Sequence, residues 1–145
     1  GLSFFKKFQY NFQMAMDNKG CAVAVLIDSP AGIPLVNDPK KPQPSYWKLP
    51  GGRSEFKESP LEAAVREVEE ELGIALKSKD LSILYEEDRG SHVFVIFKIK
   101  VSSLADLKKI GNEGEEVKVF SLKEIGKMPD LFPNHRKFLQ QLGII

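Results

Sequence analysis

Seven glutamates crowd one stretch of the chain, GGRSEFKESPLEAAVREVEEELGI, from Gly51 to Ile74: Glu55, Glu58, Glu62, Glu67, Glu69, Glu70 and Glu71. Glu67, Glu70 and Glu71 stand at i, i+3 and i+4, so on a helix they share a face, where like charges oppose folding. No lysine lies between Lys57 and Lys77 to relieve them. A solvated acidic face is the plain reading, but such faces ordinarily interleave opposite charges. A hard divalent cation would relieve the repulsion directly, and oxygen-only ligands select Mg²⁺, Mn²⁺ or Ca²⁺ rather than zinc. Mg²⁺ prefers to share its coordination shell with substrate phosphates, so the cluster points to phosphoryl chemistry.

Something must hold these acids in place. Ser59 is a good N-cap, Pro60 suits the first helical position, Glu62 lies three residues after the cap and Gly73 is a natural stop. The pattern predicts a helix from Pro60 to Leu72. Leu61, Ala64, Val65, Val68 and Leu72 form its apolar stripe, expected to face the core. The three acids fall on an adjoining face shared with Ala63, and Arg66 lies within reach of both Glu62 and Glu70. Around this helix the sequence predicts strands at Cys21 to Ser29, Ile33 to Val36 (returning after the SPAGIP turn), Tyr46 to Leu49, Leu81 to Glu86, His92 to Val101 and Glu116 to Leu122. A closing amphipathic helix is expected over Leu131 to Leu142. VFVIF in the His92 strand is apolar on both faces, which predicts layers on both sides of its sheet. The fold class is α/β, a sandwich around a mixed β-sheet.

At Gly52, Glu58, Arg66, Glu67, Val68, Glu70, Glu71, Gly73 and Ile74 the segment resembles the Nudix box: Gly, five residues, Glu, seven residues, then Arg-Glu-apolar-any-Glu-Glu-any-Gly-apolar. Every specified position is filled. The resemblance implies a Nudix-type α/β/α sandwich and hydrolysis of a nucleoside diphosphate linked to a group X, with Mg²⁺ or Mn²⁺. It also implies that Glu67, Glu70 and Glu71 are metal ligands, joined by the Gly51 carbonyl. Arg66 is then the residue that holds the helix glutamates, and Glu58 a supporting metal contact. Many family members have Gly just before the residue matching Glu58; here it is Lys57. The short chain and its WKLPGG lead-in are similar to the MutT-type members that act on free nucleotides, such as nucleoside triphosphates. ADP-ribose or nucleotide-sugar pyrophosphatase activity, or a catalytically silent nucleotide-sensing module, are the alternatives.

The general base is either Glu67 or an acid of GNEGEEVKVF, Glu113 or Glu115, where a solvated turn is the competing reading. Trp47 is read as a ring that stacks on a nucleobase or as core filling, and Arg53, like Lys48, as a phosphate contact or a solvated charge. Arg89 and His92 flank a hairpin turn and read as surface residues, and His135 as a capping or surface histidine.

A chain of 145 residues, 42% hydrophobic and 28% charged, suits one globular domain, expected here over residues 18–145. A net charge of +1 gives no electrostatic case for a nucleic-acid polymer or a membrane surface. Cys21 stands alone, so an internal disulfide and a multi-cysteine zinc site are excluded and a reducing, cytoplasmic location is expected. Phe4, Phe5, Phe8 and Phe12 fall at helical spacing in the N-terminal aromatic segment, residues 1–17, read as a helix packed on its own domain or on a second subunit in a homodimer. The partner implied throughout is a small-molecule nucleotide.

Overall fold

In a computed structural model, residues 19–42 and 44–145 are described; the helix expected over residues 1–17 lies outside them. Along the chain come β1 (Cys21–Asp28), β2 (Ile33–Asn37), β3 (Trp47–Lys48), β4 (Gly51–Arg53), α1 (Pro60–Leu72), β5 (Ser82–Asp88), β6 (Val93–Lys100), β7 (Glu116–Phe120), α2 (Leu122–Lys127) and α3 (Pro133–Gln141). The strands form two sheets, a mixed one in the order β4-β1-β6-β5 and an antiparallel one in the order β3-β2-β7.

β1 and β6 are apolar on both faces because each face enters a different core. Val23, Val25 and Ile27 of β1, with Val93, Val95 and Phe97 of β6, pack on Ala63, Ala64, Val68 and Leu72 of α1. The alternate residues Ala24, Leu26, Phe94 and Ile96 pack on the second sheet and on Ile125, Phe138 and Leu139 of α2 and α3. The layers expected on both sides of β6 are therefore present. Full burial of a Val, Leu, Ile or Phe is worth about 1.5–3 kcal/mol, so this double-sided β1–β6 pair, in parallel register over its whole length, ties the layers together.

The strand expected at Ile33 to Val36 is present as β2; beyond one bridge between Ser29 and Gly32 it pairs with β3 and β7 in the other sheet. Two local expectations are corrected. The strand expected up to Leu122 stops at Phe120, because Ser121 and Glu124 form a capping box that starts α2 (Glu124 N–H to Ser121 Oγ, 3.1 Å; Ser121 N–H to Glu124 Oε1, 2.9 Å). α3 begins at Pro133 rather than Leu131, since Leu131 bridges to Trp47 as extended chain. No helix among the described residues is long and apolar enough to cross a membrane.

Candidate active site

α1 has the bounds its caps predict. Ser59 Oγ accepts from the Glu62 N–H at 3.1 Å and Glu62 Oε1 accepts from the Ser59 N–H at 3.0 Å. At the other end the Gly73 N–H bonds the Glu69 carbonyl. Glu62 is thus spent on the cap, and Arg66 turns to Glu70 instead. The helix is also rolled toward its acidic side relative to the expected stripe. Leu61 is 37% exposed, whereas Ala63 is fully buried and Glu71 only 7% exposed. Burying Glu71 in this way requires a second polar group to meet it, and the Gly51 N–H does so, donating to Glu71 Oε1 at 2.7 Å.

Arg66 sits among the acids as a hub. Its Nε and Nη2 grip Glu58 at 2.7 and 2.9 Å, Nη1 reaches Glu67 Oε1 at 3.1 Å and Glu70 Oε2 at 3.2 Å, and Nη2 also donates to the Arg53 carbonyl. A planar guanidinium with five donors is the side chain able to serve that many acceptors at once. The Arg66 contact, foremost, holds the Glu58 carboxyl below the usual range.

The glycine pair is required by space. A side chain at Gly51 would place its Cβ 2.0 Å from the Val23 carbonyl oxygen, and one at Gly52 would lie 2.6 Å from Glu67 Oε1. The bare backbone of β4 therefore lies flat on β1 and against the Glu67 carboxylate. The chain enters β4 from β3, crossing between the two sheets through Leu49 and Pro50. This crossing is clamped from the far end of the chain. The Trp47 N–H donates to the Asp130 carbonyl, the Phe132 N–H to the Trp47 carbonyl, and the Leu49 N–H to His135 Nδ1 at 3.1 Å.

His135 is consequently a buried positioning group, 7% exposed between the Phe94 and Phe132 rings, and not a surface histidine. Burial, aided by the Lys48 and Arg89 charges, pushes its imidazole down to about 3. The folded state demands the neutral ring, so the stability it contributes is complete above the unfolded value of about 6.5 and is lost as pH falls from there toward 3. The slope is about 1.4 kcal/mol per pH unit. In urea unfolding between pH 7 and 4, His135→Gln is expected to show a shallower acid loss than the wild type; parallel profiles would remove His135 as the cause.

Gly51, Gly52, Glu67, Glu70, Glu71, Glu113 and Glu115 line one cleft of about 170 Å³. Lys41 and Lys48 line it as well, with Asp38 and Asn112. Glu71 is pushed up to about 8, first by burial, with Glu67 and Glu115 adding to it against the Gly51 N–H and Lys48. Burial likewise raises Glu67, against the pull of Arg66. Glu115 is 6% exposed and its Oε2 has no hydrogen-bond partner among the described residues. These acids are desolvated beside one another, and the donor set is all oxygen, which suits a hard cation and not zinc. Among the described residues no three His, Cys, Asp or Glu side chains are grouped around one point. Arg66 bonds Glu67 and Glu70, and Glu71 accepts the Gly51 N–H.

Other expected site residues lie elsewhere. Glu58 faces Arg66 and is absent from the cleft wall. Trp47 is 7% exposed, edge-on to Phe120 at 5.2 Å in the core, so its ring is not offered to a nucleobase. Arg53 is exposed and pairs across the sheet with Ala22, on the face turned away from α1. The cleft residues that sequence reasoning passed over, Asp38 and Lys41, come from a loop read only as polar and Pro-rich. Nothing local marks them; the pairing of β2 with β3 brings them in.

Lys57 adopts φ +62°, the left-handed conformation that a glycine takes without strain. A side chain there costs about 1–2 kcal/mol, offset in part by the greater unfolded freedom of glycine. Lys57→Gly is expected to stabilise the chain by about 1 kcal/mol in urea unfolding; a destabilised variant would show that the lysine side chain earns its place through contacts.

Comparison with known proteins agrees with this architecture. A family model described as the NUDIX domain matches residues 18–142. The chain is 31% identical over 125 residues to an ADP-ribose pyrophosphatase of Methanocaldococcus jannaschii, covering 82% of this chain and 71% of that protein. It is 33% identical over 103 residues to diphosphoinositol polyphosphate phosphohydrolase 2 of Mus musculus, covering 70% of this chain and 58% of the mouse protein. A solved MutT NUDIX hydrolase of Burkholderia pseudomallei superposes with a TM-score of 0.66 at 27% identity, covering 85% of this chain and 97% of that one.

Proposed function

The chain belongs to the Nudix family of hydrolases, and we propose that it hydrolyses a phosphoanhydride bond in a nucleoside diphosphate linked to a further group X, with Mg²⁺ or Mn²⁺. The observation that carries this reading is the grouping of Glu67, Glu70 and Glu71 with the Gly51–Gly52 backbone in one cleft, braced by Arg66. Glu67, Glu70, Glu71 and the Gly51 carbonyl would hold the cation, with Glu58 supporting them through Arg66. Bound there, a divalent ion supplies charge neutralisation of the anhydride and a lowered pKa for a coordinated water.

The chain's own groups do the rest. Glu71, which accepts the Gly51 N–H and whose pKa burial raises, would have to be ionised to serve as a ligand. Arg66 keeps Glu67 and Glu70 from swinging away into solvent. Lys48 and Lys41, which line the same cleft, meet the phosphate oxygens. Glu67 accepts the proton of the attacking water; its burial raises its basicity against the pull of Arg66. Glu113 and Glu115 line the same cleft and are the alternative bases.

The test is a substrate panel with Mg²⁺ and resolved products: nucleoside triphosphates, ADP-ribose, nucleotide sugars, diadenosine polyphosphates and a diphosphoinositol polyphosphate. Turnover of one member names the bond cleaved. Silence across the panel with Mg²⁺ binding intact would replace the enzyme by a nucleotide-sensing module. Glu67→Gln, set against Glu113→Gln and Glu115→Gln, assigns the base, as only its loss should abolish the acidic limb of the rate profile, where the rate rises as the base deprotonates.

A further inference from the structure

The last carbonyls of a helix have no partner within it. In α1 two of these belong to the turn that carries Glu70 and Glu71, and a segment more than thirty residues on takes them up. The Lys108 N–H donates to the Leu72 carbonyl at 2.8 Å, and the Asn112 N–H to the Glu70 carbonyl at 3.0 Å. That segment is also closed on itself. The Val117 N–H donates to the Lys109 carbonyl, the Gly111 N–H to the Glu115 carbonyl and the Gly114 N–H to the Gly111 carbonyl. Lys108 Nζ donates to Asn112 Oδ1 at 2.6 Å, a side-chain strap across the start of the turn. The last turn of α1 has no basic residue of its own, so Lys108 brings a cation to the negative end of the helix dipole.

Gly111 lets the turn come this close. It is buried, and a Cβ on it would overlap Glu115 Oε2 and stand 3.0 Å from the Glu71 carbonyl oxygen. Its φ lies outside the left-handed region, so the demand for glycine here is one of space and not of backbone conformation. Glu115 is 6% exposed, and its Oε2 has no hydrogen-bond partner among the described residues. Packing against Gly111 therefore sets the place of that oxygen.

We propose that Gly111, with the Lys108–Asn112 strap, is a positioning residue: it seats the turn on the end of α1 and so fixes Glu113 and Glu115 in register with Glu70 and Glu71. This rests on the hydrolase reading above. The two groups of acids come from distant segments, and this seam makes them one rigid body.

Gly111→Ala tests it in the full chain, with thermal melting to confirm the fold. By amide hydrogen exchange, the Asn112 N–H should exchange about tenfold faster or more while the amides inside α1 keep their protection. Adding Glu115→Ala should restore part of the Asn112 protection, since the new methyl then has room. In turnover, kcat should fall about tenfold or more, the scale of a small misplacement of reacting groups, with KM within about threefold. Lys108→Met, at a half-buried position, should lower kcat about threefold and carries the kinetic test alone if Gly111→Ala does not fold. Unchanged Asn112 protection in folded Gly111→Ala, or a loss confined to KM, would overturn the proposal, as would wild-type kcat in folded Gly111→Ala or, where only it can be tested, in Lys108→Met. A silent substrate panel would defeat the hydrolase reading, and the exchange data would still decide whether Gly111 seats the turn.

Discussion

Glu70→Gln is expected to leave the protein folded while lowering turnover on the order of a thousandfold, the scale of removing one group that stabilises developing charge. The separation follows from where Glu70 sits. Its side chain is 41% exposed and its tie to Arg66, at 3.2 Å, is a partly solvated i,i+4 pair worth under about 1 kcal/mol. Glutamine keeps the shape and a carbonyl acceptor for Arg66 but removes the charge from the cleft. The loss should fall on kcat, read as initial rates of product release with Mg²⁺, and the melting temperature should move little. A variant that retains most of its turnover would strike Glu70 from the ligand set.

Arg66→Met is expected to cost about 3–5 kcal/mol of stability and to disable the site as well, because it strands buried charge. The Glu58 and Glu67 side chains are 12% and 16% exposed, and Arg66 is the cation that faces both. The pH dependence distinguishes this from lost packing. The carboxyl of Glu58 is depressed in the folded state, so its stabilising contribution is present above its unfolded value and disappears as pH falls through the folded one. The gap between wild type and Arg66→Met should therefore be widest near neutral pH and shrink on acidification, when the stranded acids take up protons. Glu58→Gln in the Arg66→Met background should recover part of the loss, since it removes one of those charges. A gap under about 1 kcal/mol in urea unfolding would show that the acids are hydrated and that Arg66 is no hub.

The parts of the molecule set by nearest neighbours were readable in advance. The bounds of α1 follow from Ser59, Pro60, Glu62 and Gly73, all within a turn of the ends they define. The two-faced apolar run of β6 correctly implied two cores. What escaped was whatever a distant segment decides. β4 is Gly-Gly-Arg, with no strand propensity of its own, and exists because β1 offers it an antiparallel partner. Leu61 belongs to the apolar stripe by spacing, yet it is left exposed while Glu71, met by the Gly51 N–H, is buried. α2 alone was local and still missed: Ser121 and Glu124 have the capping-box spacing, but the β-branched run before them extended the strand reading past its end. The sequence shows the crowding of the acids, finally, but not that Arg66 bonds Glu67 and Glu70 or that the Gly51 N–H donates to Glu71.

The hydrogen bond from the Leu49 N–H to His135 joins residues 86 positions apart. Strands β1 and β4 and helix α1 emerge from a ribosome long before α3 follows, so the acids exist as a group while the loop that faces them is still unclamped. The β3–β4 crossing is therefore clamped only once α3 has docked.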